Sequence, residues 1–235
     1  MRTWLPPVRL RAAGVPRRER DEVVVRATWQ LVSLLLDYPG EELYQRLPAL
    51  RRAAEALPEP IGPALQQLVD HLTATGLGPA QRTFVETFDY TRRCALHLTY
   101  YTHGDSRKRG VALVEFKQAY RRAGWQVNDA ELPDHLSVLL EFGAVGDLDV
   151  AWELLNRHRV GVELLGLALT DRDSPWLAAV RALQATLPAL DGDQADLVAR
   201  LLRDGPETED VGLEPYGIDP RLNPHPHDDA DLLGA

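Results

Sequence analysis

The chain has 235 residues, enough for one domain with tails, and is 45% apolar and 26% charged with a formal charge of −9 at pH 7. This is the composition of a soluble globular protein with a sizeable core. The negative charge argues against nucleic acid, whose phosphates this surface would repel, and suits a basic partner segment. The single cysteine excludes an intramolecular disulfide, so nothing points to an oxidising compartment.

Residues 1–20 are rich in proline and arginine and read as a flexible basic arm. No continuous hydrophobic region follows them, so the pattern of a signal peptide is missing. The longest apolar run, Leu164 to Leu169, falls far short of the roughly 20 residues that span a bilayer. The expected location is cytoplasmic, with no direct membrane insertion.

From Val23 the spacing turns helical. Ala27, Leu31, Leu34 and Leu35 share a face, and Asp37-Tyr38-Pro39-Gly40 stops the helix. A second helix is predicted over Glu41–Ala56, with Leu43, Leu47 and Leu50 aligned. Leu65, Leu68, Val69 and Leu72 form the stripe of a third. Pro79 then stands in the first turn of a segment carrying Phe84, Val85 and Phe88.

The stretch Phe84 to Lys117 concentrates three of the seven tyrosines, the cysteine and both lysines of the chain. It reads as an apolar-periodic segment ending near Asp89, a second from Cys94 to Tyr101, and a helix from Ser106 to about Ala123. Asp105, after Gly104, is the expected cap of that helix, and Leu113, Phe116 and Tyr120 its buried side. Gly124 to Pro133 reads as a loop. Helical spacing resumes at Leu136, Leu139 and Leu140, continues in one longer segment through Leu148, Trp152, Leu155 and Val162, and ends in a helix over Ser174–Leu187. Nothing alternates with period two over a useful length. The expected architecture is all-α: a single helical bundle or globule over residues 21–190, then an acidic, mostly disordered tail over 191–235.

Cys94, His97, His103 and Asp105 are all metal-ligand types, and Cys94 with His97 could start a nucleophile–base pair. A structural zinc site uses four ligands in paired short spacings, and here there is one thiol, with His103 across an expected turn. No Gly-x-Ser-x-Gly elbow, Gly-rich phosphate cradle or Cys-x-x-Cys is present. The expectation is therefore no enzyme, no resident cofactor and no metal. A small helical enzyme or metal-binding protein built on those four residues is the alternative. His225 and His227 in the acidic tail read as solvated.

Three motifs carry a resemblance. They are Phe84-x-x-x-Phe88-Asp89; Leu98-x-Tyr100-Tyr101-Thr102-His103-Gly104-Asp105-x-Arg107-x-Arg109-Gly110; and Glu131-Leu132-Pro133-Asp134-His135-Leu136 followed by Leu140-Glu141-Phe142. Together with Leu34-Leu35-x-Asp37-Tyr38-Pro39, they resemble the respiratory nitrate reductase assembly chaperones, the delta-subunit family. The resemblance covers about Leu31 to Leu187. It implies a non-catalytic maturation factor that binds the N-terminal segment of the apo catalytic (molybdenum) subunit. Such a factor holds that subunit for molybdenum cofactor insertion and delays its docking to the membrane subunit; cofactor-insertion proteins are further partners. On the resemblance, the peptide-binding residues are Phe84, Phe88, Asp89, Tyr100, Tyr101, His103, Asp105, Arg109, Glu131, Pro133, Asp134 and His135. Pro133, Asp134 and His135 would form a lip of the groove, with Asp134 pairing a partner's Arg or Lys; the plainer reading makes Asp134 the cap of the helix that follows.

Overall fold

Trp29 sits where the helices of this protein converge. The computed structural model describes residues 17–126 and 131–205, with side chains from residue 21 onward. The arm and tail expectations for 1–16 and 206–235 lie outside the described residues. Helix α1 (Arg17–Leu35) buries Trp29, Val32 and Leu35 and packs against α7 (Leu136–Val145), an almost wholly apolar helix. The Trp29 ring stacks on Trp152 of α8 (Leu148–Arg157), with centroids 5.8 Å apart, and its Nε1 donates to Thr186 Oγ1 at 3.0 Å. Burying a ring of this size and satisfying its one donor is what lets tryptophan hold a core centre.

Helices α1 and α7 are also fastened by charge. The Arg26 guanidinium donates to the carbonyls of Gly143, Ala144 and Gly146 at 2.9, 3.3 and 3.2 Å. These are carbonyls at the α7 C-terminus that the helix itself leaves without donors, and a cation there also complements the helix dipole.

Helices α2 (Glu41–Glu55) and α3 (Ile61–Thr75) form an antiparallel pair, closed where Gly62 passes under the α2 C-terminus. A Cβ on Gly62 would stand 2.6 Å from the Leu57 carbonyl oxygen. Helix α4 (Leu77–Phe84), with Pro79 in its first turn as predicted, runs on into a π-helical turn over Val85–Asp89. A 3-10 turn over Arg92–Cys94, the four-residue α5 (Tyr100–His103) and α6 (Arg107–Arg122) follow. Helices α9 (Arg159–Asp171), α10 (Leu177–Gln184) and α11 (Gly192–Asp204) complete the body, α10 packing on α3, α1 and α9. The fold is all-α, as expected: the described residues contain no strand, only an isolated antiparallel bridge between His97 and His135.

Three local expectations are corrected. The segment Cys94–Tyr101 is not one helix; between the 3-10 turn and α5 it runs extended, because Leu96 and Leu98 bond across to the 132–136 segment (Leu98 N to Asp134 O, 3.1 Å; Leu136 N to Leu96 O, 2.8 Å). The long segment through Leu148 and Val162 is two helices that break at His158. The break turns Gly161 toward α5, where a Cβ would come within 3.1 Å of the Tyr101 ring. Finally, α11 continues the helical body past Leu190. Asp191 accepts from Gln194 N at 2.7 Å while Gln194 Oε1 accepts from Asp191 N at 3.2 Å, a reciprocal capping box that starts a helix in an acidic stretch.

Candidate functional site

The centre of the motif region is a buried carboxylate. Asp134 is 0% exposed. Its Oδ2 accepts from the Thr99 backbone N–H at 3.1 Å and from the Thr99 hydroxyl at 2.5 Å, and its Oδ1 lies 3.3 Å from His97 Nδ1. An ionised carboxylate only accepts, so Nδ1 is the protonated nitrogen of that imidazole. Burial alone would raise the Asp134 pKa, but the bonds from His97 and Thr99 and the nearby imidazole outweigh it, and the carboxyl is held below its ordinary value. Thr99 accepts in turn from Arg109 Nε at 3.3 Å, and the Arg109 guanidinium lies 5.8 Å from the centre of the Tyr100 ring. A polar chain therefore runs from α6 through Thr99 to Asp134.

Around it the two motifs are bolted together. Tyr120 of α6 donates to the Pro133 carbonyl at 2.7 Å, and Tyr101 to the carbonyls of Arg93 and Ala95 at 3.0 and 2.9 Å. Burial pushes the Tyr101 and Tyr120 hydroxyls well above their ordinary pKa, with the neighbouring Cys94 and Asp134 adding to it respectively, so both remain donors. The His97 and His135 rings meet edge to face, centroids 5.2 Å apart.

This geometry sorts the sequence-predicted site residues. Asp134 neither caps α7, whose N-cap is His135 with no side-chain cap bond, nor faces outward to a partner. Both expected roles fail for one physical reason: its acceptors are consumed holding Thr99 and His97. Pro133 and Tyr101 are buried beside it, with His135 half-buried at the bridge. Phe84 and Phe88 are core, packed on each other at 4.6 Å and each 5.5 Å from Trp176. Asp105 is exposed and does not cap α6, whose N-cap is Ser106; it lies 3.7 Å from Arg109. Asp89 is exposed on the π-helical turn, and Glu131 and His103 are partly exposed. Of these acids, Asp134 is buried while Asp89 and Asp105 are exposed on separate turns.

Tyr100 and Tyr101 do open onto a cleft of about 350 Å³, whose other walls are Arg92, Arg93, Leu164, Leu201, Leu202 and Gly205. Leu202 is 47% exposed at its edge. The arginines make this rim basic, where the sequence reading expected acids facing a basic peptide. The α11 leucines were missed because Asp191 and the residues after it were read by composition; the signals that would have found them are the Asp191/Gln194 box and the spacing of Leu197, Val198, Leu201 and Leu202.

The alternative constellation does not assemble. Cys94 is fully buried, and burial raises its thiol pKa against the opposing pull of Arg172 and Arg93, which keeps it a poor nucleophile. His97 is committed to Asp134, and His103 and Asp105 lie on and beyond α5. Among the described residues no three His, Cys, Asp or Glu side chains converge as metal ligands.

Comparison with known proteins places this arrangement. A family model described as nitrate reductase delta subunit matches residues 54–182. The nitrate reductase molybdenum cofactor assembly chaperone NarJ of Escherichia coli is 34% identical over 179 residues, covering 74% of this chain and 76% of that protein. The probable nitrate reductase molybdenum cofactor assembly chaperone NarJ of Bacillus subtilis is 29% identical over 165 residues, 68% of this chain and 88% of that protein. The nitrate reductase-like protein NarX of Mycobacterium tuberculosis is 37% identical over 161 residues, and this chain spans only 24% of its length. On the family match and the extent of these likenesses, the chain belongs to the nitrate reductase delta subunit family.

Proposed function

We propose that this protein is a system-specific assembly chaperone for a respiratory nitrate reductase. It binds the N-terminal segment of the apo catalytic subunit, holds that subunit for insertion of the molybdenum cofactor, and delays its docking to the membrane. It acts in the cytoplasm and catalyses no reaction itself; no helix among the described residues is long and apolar enough to cross a membrane. The observation that carries this reading is the family match across the helical body, together with relatives named for molybdenum cofactor assembly.

The chemistry of the cleft is compatible with a helical or extended segment laid in by its apolar side. Tyr100 offers an amphipathic ring, Leu164, Leu201 and Leu202 offer apolar contact, and Arg92 and Arg93 can meet backbone carbonyls or acids of the segment. The Asp134–Thr99–Arg109 chain sets the position of Tyr100 and so shapes the cleft without touching the ligand. Calorimetric titration of the protein with the catalytic subunit's N-terminal peptide tests the reading. Saturable one-to-one binding is expected, and no heat or competition at any attainable peptide concentration would refute it.

A further inference from the structure

The cleft beside α5 is electrically one-sided. Its neutral walls are the Tyr100 and Tyr101 rings of α5 and the leucines Leu164 of α9 and Leu201 and Leu202 of α11. The remaining wall is the 3-10 turn that carries Arg92 and Arg93, and among the described residues no acid lines the cleft. Behind the turn, Arg93 Nη2 lies 3.6 Å from Asp171 Oδ2, with the two side chains 68% and 65% exposed. A pair that open to water holds weakly, so a second carboxylate arriving from the cleft side can compete for the guanidinium. Two cations thus border an apolar cleft in a chain whose net charge is −9.

The turn that bears the arginines is fixed from within. Tyr101 donates its hydroxyl to the carbonyls of Arg93 and Ala95 at 3.0 and 2.9 Å, and Cys94 N donates to Thr91 O at 2.8 Å. Cys94 itself is fully buried and roots the turn in the core. Tyr101 therefore lines the cleft with its ring and, through its hydroxyl, holds the backbone on which the cations stand. A rim whose backbone is already set loses less entropy when a ligand arrives. A backbone carbonyl also accepts from a guanidinium, but a carboxylate does so with its charge and with two oxygens, which makes it the better match for this rim.

We propose that Arg92 and Arg93 select the segment seated in this cleft through an acid: the occupant carries an Asp or Glu beside the apolar side chains that meet Leu164, Leu201 and Leu202. The inference rests on the function proposed above and adds the charge that the catalytic subunit's segment presents at the contact. Attraction then works at two ranges. Far from the surface, the net charge of −9 draws a segment of positive net charge; at the cleft the arginines meet an acid, which fixes the register in which that segment seats.

The test is a cycle of substitutions on both partners, read by calorimetric titration of the full-length protein. The probes are the synthetic N-terminal peptide of the catalytic subunit and versions of it with each Asp or Glu replaced in turn by Asn or Gln. The double variant Arg92→Gln/Arg93→Gln should bind the unaltered peptide about fivefold more weakly, the size expected for exposed charge pairs. One of the altered peptides should lose the same amount on the wild-type protein and nothing further on the double variant, which pairs that acid with the arginines. Both arginines are exposed, so the double variant should melt with the wild type, and the altered peptides test the pairing on the wild-type fold in any case. An affinity unchanged by the double variant overturns the proposal, and so does a peptide that binds equally well with every acid neutralised. Tighter binding to Arg92→Glu/Arg93→Glu overturns it too, since it would put a cation of the segment at this rim. In each of these three results the peptide still binds and the chaperone function stands; a wild-type protein that binds no peptide removes both.

Discussion

At the scale of single residues, two buried titratable groups dominate, and they act in separable pH ranges. His158 is buried against the Phe116 ring at 4.9 Å, and its pKa is lowered to about 4, first by desolvation and then by the charges of His103 and Arg157. The unfolded chain therefore binds a proton that the folded one refuses, and stability falls as pH drops from about 6.5 to about 4. The loss should approach ~3 kcal/mol from this residue. Urea melts of wild type and His158→Leu across that range should show the slope in the first and a flattened profile in the second; equal slopes would rule His158 out. Asp134 acts lower. Its folded pKa is depressed, so its contribution is present above the ordinary value of 3.8 and disappears as pH falls through the folded value. At neutral pH, Asp134→Asn exchanges an acceptor for a donor facing the Thr99 N–H or hydroxyl, and should cost about 1.5–3 kcal/mol in the same melts. A variant as stable as wild type would mean that the carboxylate is not the anchor of Thr99. The sequence made Asp134 visible as a chemistry-bearing residue and hid its role, because nothing in a Pro-Asp-His triplet records that Thr99, thirty-five positions earlier, supplies its donors.

At the scale of elements, close helix packing rests on a few small residues. Gly143 of α7 faces Trp29, and a Cβ there would stand 2.5 Å from two ring carbons and 2.8 Å from the Ala151 Cβ. Gly143→Ala should force α1, α7 and α8 apart and lower stability by about 1–3 kcal/mol, or more if the Trp29–Thr186 hydrogen bond breaks as well. Thermal melts and the near-ultraviolet signal of the tryptophans would reveal it, and an unchanged melt would show that the ring has room to shift. Helices with a clean apolar stripe, such as α2 and α3, were legible from spacing alone. The segment around His97 was not. Its buried Leu96 and Leu98 alternate with partly exposed neighbours over only four residues, too short a run to outweigh the helical spacing on either side. The acidity of the stretch after Asp191 likewise masked a well-capped amphipathic helix, because average composition carries no information on which side of a helix the leucines fall.

At the scale of the whole molecule, the cleft beside α5 and the outer face of α6 lie on either side of one four-residue helix, and only the first should respond to the catalytic-subunit peptide. Leu202→Ser removes an apolar wall of the cleft and should weaken binding of the catalytic-subunit peptide about tenfold, the worth of burying part of a leucine side chain. Val114→Ser, on the outer face of α6, should leave that affinity unchanged. Calorimetric titration of both variants decides between the two faces: a loss seen with Val114→Ser and not with Leu202→Ser would move the peptide site to α6. The all-α class and most helices could be read from the sequence. The clefts could not, since each joins residues from elements far apart in the chain, as when Tyr100 and Leu202 share a wall.

The stacked Trp29 and Trp152 rings have a use beyond packing. Their planes are 8° from parallel. Two indoles stacked this closely couple their transitions, which gives the folded protein a paired spectroscopic signature that either ring alone lacks. Since Trp29 rides on α1 and Trp152 on α8, a change in that signature would report a shift of one helix against the other in the unlabelled protein, in real time, with Trp152→Phe as the blank.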